Sequence, residues 1–350
     1  MIFQLLLLIL YGLFTAPRSG ALPQVRRHSA VNSCLLRADF IPAEQALADL
    51  RLPLNIMAAT PSIAMITSER GFLGTQKMLS SHCSSSITSD SGFRLASAHC
   101  FERCIHAAGG YKVLNGIHVI DKEKLNKITC KISVNGKTGQ ARLWAVSDCD
   151  AADLEASDKA PKCRGLDYAL FTVDGDSIPA SPCLPSRDGP IKVDEDVLNV
   201  GFPAATSRRQ HTPSARDSFG DGQYISTGKV VDQSTCHLKP IGDPELYQTL
   251  QDTGLVNGLV VDISKVKQAR KDFVQTTTDG THRSSGSALV DRSGQQVGVL
   301  SSMVGILDIV ECRGATFYSS IQKIKDAIKS DYPAVDLSDA FRCARNSALK

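Results

Sequence analysis

The sequence predicts an all-β protein: two β domains, a proline-rich connection between them and a closing C-terminal helix. Three observations carry this reading. From about Ser62 onward, short apolar runs are punctuated by Gly, Ser, Asn and Asp; four prolines crowd residues 177–190; and Ile321, Ile324 and Ile328 recur on one helical face. Taken in order, residues 1–21 open with an almost unbroken apolar run, Ile2 to Phe14, too short to span a bilayer. Small residues follow at Ala16, Ser19, Gly20 and Ala21, the pattern of a secretory signal peptide, although no Lys or Arg precedes Arg18. Residues 22–60 form an N-terminal extension or pro-segment, with Ala43, Ala46, Leu47 and Leu50 at helical spacing. Residues 61–176 carry runs such as 63–66, 111–114 and 141–144, which read as short antiparallel strands of a barrel or a sandwich. Pro179, Pro182, Pro185 and Pro190 each lack a backbone donor, so 177–190 resists both helix and central strand and reads as a linker. Residues 191–330 hold a second set of strand-like runs at 197–202, 224–231, 258–263, 287–290 and 297–301, then the helix; 331–350 is left as a tail.

Composition narrows the function. The chain has 350 residues with 39 Lys plus Arg against 36 Asp plus Glu, a net charge of +3, which excludes a strongly basic nucleic-acid binder. Hydrophobic residues at 42% and charged residues at 21% match ordinary globular usage and exclude disorder. Eleven cysteines without a C-x-x-C pair point to an oxidising compartment, extracellular or periplasmic. No G-x-x-x-x-G-K-[ST], G-x-G-x-x-G or H-E-x-x-H occurs, so no cofactor and no metal is expected. Arg26-Arg27 and Arg208-Arg209 are too short to bind nucleic acid or a membrane surface.

Three segments carry chemistry. His99 stands in Leu95-Ala96-Ser97-Ala98-His99-Cys100, downstream of Cys83 and a serine-rich run. Asp167 heads the apolar run Asp167-Tyr168-Ala169-Leu170-Phe171, where burying a carboxylate is costly unless the charge has a partner. Ser285 lies in Arg283-Ser284-Ser285-Gly286-Ser287-Ala288-Leu289-Val290, a small-residue turn leading into a strand.

Together the segments resemble the chymotrypsin-like (trypsin-like) serine proteases, whose motifs read T-A-A-H-C, D-I-A-L-L and G-D-S-G-G-P-L-V. The chain order His, Asp, Ser agrees and excludes the α/β-hydrolases. The resemblance spans about Ser62 to Ser330. It implies two six-stranded antiparallel β-barrels, with His99 and Asp167 on the first and Ser285 on the second. It also implies a triad in which His99 takes the proton of the nucleophile Ser285 and Asp167 holds the imidazole, with the backbone N–H groups of Ser285 and Arg283 as oxyanion donors. Cys83 and Cys100 match the family disulfide that anchors the histidine loop. Arg283 stands where the family has glycine, Ala288 replaces the usual proline, and Ser284 replaces the aspartate that captures a new N-terminus on activation. No I-V-G-G start is present. This profile is closest to the bacterial branch of glutamyl endopeptidases and HtrA-like proteases.

Asp279, six residues before Ser285, has the offset of a carboxylate at the base of the primary pocket; Ser301 and Met303 are expected to line that pocket. A basic preference and a small-residue preference both stay open. Cys149 and Cys163 bracket an acidic loop, and Cys34 and Cys343 are candidates for tying the two extensions together; an odd count leaves one cysteine over. The expectation is a secreted serine endopeptidase acting on protein or peptide substrates, with no nucleic-acid partner and no membrane association after signal removal. The alternative is a catalytically inactive homologue that serves as a binding module.

Overall fold

The computed structural model describes residues 41–50, 55–70, 76–114, 117–148, 165–174, 182–202, 222–232, 272–278, 280, 284–303 and 316–344. The signal segment, Cys34, the loop bracketed by Cys149 and Cys163, the run 258–263, Asp279 and Arg283 lie outside the described residues.

The described chain begins with β1 (Ile41–Pro42), α1 (Ala43–Leu50) and α2 (Asn55–Ala58). The first barrel then follows from β2 (Ser62–Arg70), β3 (Gln76–Ser84), β4 (Ser86–Ile87) and β5 (Arg94–Ala96). Next come a 3-10 turn at Ala98–Cys100, α3 (Glu102–Ala107), the hairpin β6 (Tyr111–Leu114) and β7 (Ile117–Ile120), and α4 (Lys122–Leu125). The barrel is completed by β8 (Thr129–Val134), β9 (Lys137–Val146) and β10 (Ala169–Asp174). β3 and β4 are one bent strand on either side of Ser85: the first part pairs with β2 and the last part with β5. Since β5 pairs with β10, β10 with β9, β9 with β8 and β8 with β2, the bend closes a ring of six strands. The β6–β7 hairpin stands apart as its own two-stranded sheet, so the strand-like run at 111–114 is not a barrel strand.

Local sequence explains the pairing. Asn135 and Gly136 both adopt positive φ, +46° and +82°, which the two-residue turn between β8 and β9 requires. Along β8, Cys130, Ile132 and Val134 are buried while Thr129 and Lys131 are exposed, the period of two that puts one face inward. The inward set joins Leu95, Leu143, Leu170 and Phe171 in one core, with Phe101 and Phe171 ring centroids 4.9 Å apart.

The second barrel comprises β11 (Asp196–Gly201), β12 (Tyr224–Val231), β13 (Val274–Thr276), β14 (Ala288–Asp291), β15 (Gln296–Met303) and β16 (Thr316–Ser320), followed by α5 (Ile321–Asp331) and α6 (Leu337–Ala340). The order β12-β11-β14-β15-β16-β13 closes through pairing of β13 back onto β12, again six strands. The architecture is therefore the all-β double barrel with a C-terminal helix that the sequence implied.

Three segments depart from the expected layout. Residues 41–50 and 55–60 are not a detached extension: β1 pairs with β12, and Ala43, Ala46, Ile56 and Ala59 are buried against Leu198, Val200 and Ile225 of the second barrel. Leu50, which fits the helical spacing, is nevertheless 42% exposed. Second, α5 follows the last strand of the second barrel yet buries Ile321, Ile324 and Ile328 in the core of the first; Ser320 caps its start by accepting from Lys323 N. Third, the described part of the expected tail, 331–344, is folded. Asp336 caps α6, Ala340 is buried, and Cys343 is bonded to Cys183.

The linker is held at several points. Pro185 O accepts from Gln296 N at 2.8 Å, Arg187 N donates to Gln296 O at 3.0 Å, and the Arg187 guanidinium pairs with Glu195 and, at 3.3 Å, with Asp291. Lys325 of α5 reaches Asp188 at 2.8 Å.

One buried charge has no such support. Arg94 on β5 is 5% exposed, its Nη1 is enclosed without a hydrogen-bond partner, and burial pushes its pKa down from 12.5 to about 10. No carboxylate among the described residues pairs with it. An isolated enclosed cation destabilises a fold, so an apolar side chain of similar length is better tolerated. Arg94→Met is expected to raise the thermal midpoint, by roughly 2 °C or more on the scale of 1 kcal/mol per few degrees, read by scanning calorimetry.

Candidate active site

His99 is placed by local backbone. β5 ends at Ala96, and Ser97 leads into the 3-10 turn that carries His99 between Ala98 and Cys100, both buried. Small residues on either side let this turn lie close to its neighbours. The sulfur of Cys100 is joined to Cys83 at the end of β3. Asp167 lies just ahead of β10, after Gly165, whose φ is +74° and whose missing Cβ leaves room for the Asp272 carbonyl oxygen, 2.2 Å from where that atom would sit. Asp167 N donates to Ser319 Oγ of β16 at 2.8 Å, so its backbone is tied to the second barrel.

The structure brings His99 and Asp167 together. His99 Nδ1 is 2.8 Å from Asp167 Oδ2 and His99 N donates to Asp167 Oδ1 at 3.2 Å. Asp167 has no solvent exposure, and Ser301 Oγ donates a third hydrogen bond to Oδ2 at 2.7 Å. Burial acts to push the His99 imidazole pKa down; the negative charge of Asp167, its hydrogen bond and the more distant Glu102 outweigh this, so the pKa lies above 6.5. With Nδ1 facing a carboxylate, the proton of a neutral ring resides there and Nε2 is the basic nitrogen.

Ser285 sits in the turn before β14, where Ser287 N donates to Ser284 O at 2.8 Å. Gly286 adopts φ +85°, and a Cβ there would lie 2.1 Å from Ser84 O and 3.1 Å from Ala96 Cβ. Glycine is therefore required by both angle and space. Ser285 O accepts from Ser84 N at 2.7 Å, which ties the turn to the first barrel. Among the described residues Ser285 Oγ has no hydrogen bond, to His99 or to any other group; in free enzymes catalytic hydrogen bonds are often long and tighten with substrate.

One strand holds all three segments. Leu300 O on β15 accepts from Ser97 Oγ at 2.5 Å and from Gly286 N at 2.8 Å, and Leu300 N donates to Ser287 O at 2.9 Å. The next residue is Ser301, on Asp167. Thus two consecutive residues of β15 touch the segment before His99, the turn of Ser285 and the carboxylate of Asp167.

Ser301 was expected to line the primary pocket; its side chain is turned to Asp167 instead, because only there does its hydroxyl satisfy a buried carboxylate oxygen. Met303 lies on β15 opposite Thr316. Of the expected pocket floor, Asp279 lies outside the described residues. Its neighbour Gly280 abuts Thr316 and Leu300: a Cβ there would be 2.8 Å from Thr316 Cγ2. Thr316 belongs to a buried hydroxyl cluster with Thr276, Thr278 and Tyr318 in which every contact is 2.6–2.8 Å. Arg283, the expected second oxyanion donor, also lies outside the described residues. Ser97, Ser319 and the role of Ser301 escaped the sequence reading, since isolated serines carry no signal until tertiary register selects them.

Among the described residues two further disulfides are present. Cys104 is joined to Cys130, and Cys183 to Cys343, so Cys343 is not available to Cys34. Among the described residues Asp90, Cys183 and Cys343 are the one group close enough to share a metal ion, but the two sulfurs are bonded to each other and are not thiolate ligands.

Two outcomes follow from this geometry. The imidazole of His99, followed by NMR, is expected to titrate above 6.5, and lower in Asp167→Asn, which removes the main opposing charge. A pKa raised by folding stabilises the protein fully below the unfolded-state value, and that contribution is lost as pH rises through the folded-state value. Gly286→Ala is expected to lower the urea midpoint clearly, because both the φ angle and the Ser84 carbonyl resist it; an unchanged midpoint would contradict the packing.

Among solved structures, the HtrA-type protease AlgW with a decapeptide is similar with a TM-score of 0.44 and 15% identity, over 83% of this chain and 68% of that one. No curated protein gives a match. Residues 86–299 match the trypsin-like peptidase domain, a span that takes in His99, Asp167, Ser285 and most of both barrels. On that match over more than half its length, the chain belongs to the trypsin-like peptidase family.

Proposed function

We infer that the protein is a secreted serine endopeptidase that cleaves peptide bonds through an acyl-enzyme on Ser285. The observation that carries this reading is the His99–Asp167 pair, closed off from water on the carboxylate side and supported by Ser301. Such an arrangement is costly to bury and gives a histidine base of fixed tautomer and raised basicity.

His99 Nε2 takes the Oγ proton while Oγ bonds to the carbonyl carbon of the scissile peptide; the carbonyl electron pair moves onto oxygen. The N–H of Ser285 donates to no described acceptor and is free to receive that oxyanion, with the N–H of Arg283 as its expected partner. The C–N bond then breaks as the imidazolium returns its proton to the leaving amine. Water, deprotonated by His99, attacks the resulting ester; the acyl C–Oγ bond then breaks, the imidazolium returns the proton to Oγ, and the new carboxylic acid leaves. Asp167 stabilises the imidazolium at each stage without itself taking the proton. Three described disulfides and an apolar leader support the oxidising, secreted setting.

A fluorophosphonate probe is expected to label Ser285 stoichiometrically in the processed protein, mapped by peptide mass spectrometry, and Ser285→Ala is expected to abolish the label. The labelling rate should rise with pH along an acid limb above 6.5, and Asp167→Asn should slow peptide turnover by about 10⁴-fold. A folded, processed protein that takes no label would identify a silent homologue used for binding.

A further inference from the structure

Ser84 is the last residue of β3, in the first barrel, and is fully buried. Its peptide and side chain meet the second barrel at three places. Ser84 N donates to Ser285 O at 2.7 Å. Ser84 O packs on the open face of Gly286, which has no Cβ to keep it away. Ser84 Oγ accepts from Phe202 N, just past the end of β11, at 3.0 Å, and lies beside Gly201 where that residue also receives Ser287. One residue earlier, Cys83 is bonded to Cys100, the neighbour of His99.

A continuous path therefore joins the base to the nucleophile. It runs from His99 to Cys100, across the disulfide to Cys83, along one peptide to Ser84, and through a hydrogen bond to the carbonyl of Ser285. The hydroxyl of Ser84 anchors the middle of that path to β11. Removing the hydroxyl takes away the Phe202 hydrogen bond that ties the end of β3 to β11, beside the Ser285 carbonyl. This matters because the family's usual ordering device is missing: Ser284 replaces the aspartate that binds a new N-terminus.

We propose that Ser84 is a positioning residue, which sets the distance between the Ser285 hydroxyl and His99 by clamping the nucleophile turn between β3 and β11. The proposal rests on Ser285 being the nucleophile. Its expected signature is a loss of reactivity per folded molecule, with His99 basicity unchanged, because Ser84 touches the nucleophile's backbone and not the His99–Asp167 pair. A residue that merely supports the fold changes stability and leaves the reactivity of the folded fraction alone.

The test uses the full processed chain and a fluorophosphonate probe. Second-order labelling rates are measured from pH 5 to 9 for the native protein, Ser84→Ala and Ser84→Thr, each well below its own thermal midpoint. If the native protein takes no label, the peptidase reading fails first, and separately from this one. Given native labelling, Ser84→Ala is expected to react about tenfold more slowly at every pH with its acid limb in place, and Ser84→Thr, which retains an acceptor hydroxyl, to recover most of the rate. Labelling of Ser84→Ala at the native rate, or a shifted acid limb, overturns the proposal. If Ser84→Ala does not fold, Ser84→Thr decides: a near-native rate supports the clamp and a rate as slow as tenfold below native overturns it.

Discussion

The carboxylate of Asp167 has no contact with solvent, and three donors keep it there: the backbone N–H and ring nitrogen of His99, and the hydroxyl of Ser301. An enclosed charge without these partners costs several kcal/mol, more than most single contacts in a fold contribute. The donors come from both barrels, since His99 follows β5 and Ser301 lies on β15. Seating one charge therefore requires the barrels to dock in one relation, and that relation also brings the Ser285 turn beneath the same strand.

The seam is dominated by small residues for the same reason. Ala96, Gly201, Gly286 and Ser287 let the segments approach closely, and at Gly286 the approach leaves no space for a methyl group. Larger side chains would hold the segments apart and leave Asp167 short of donors. Other connections close around this centre: α1 and α2 pack on the second barrel before the chain enters the first, α5 returns from the second barrel to the core of the first, and Cys183–Cys343 fastens the linker to the C-terminal segment.

Much of this was readable before any coordinates. The short apolar runs from Ser62 onward, the four prolines of the linker and the spacing of Ile321, Ile324 and Ile328 are local signals, and local signals give strands, boundaries and helix faces. The segments of His99, Asp167 and Ser285 stood out because each combines a chemically active residue with small or apolar neighbours. What stayed hidden depends on distant register. The helical face of Ile321, Ile324 and Ile328 announces burial but not against which barrel; a cysteine in isolation does not name its partner, as Cys343 shows. Ser301 reads as a pocket residue along the chain and becomes a donor to Asp167 only when β15 crosses the start of β10.

Leu300 and Ser301 of β15 together hold the His99 segment, the Asp167 carboxylate and the Ser285 turn in one geometry. A crystal structure of the processed chain with a phosphonate bonded to Ser285 tests it most directly. The account predicts Leu300 O still accepting from both Ser97 and Gly286, Ser301 on Asp167, and His99 Nε2 within hydrogen-bond reach of an adduct oxygen. An adduct whose oxygens all lie beyond reach of His99, with those β15 contacts intact, would contradict it.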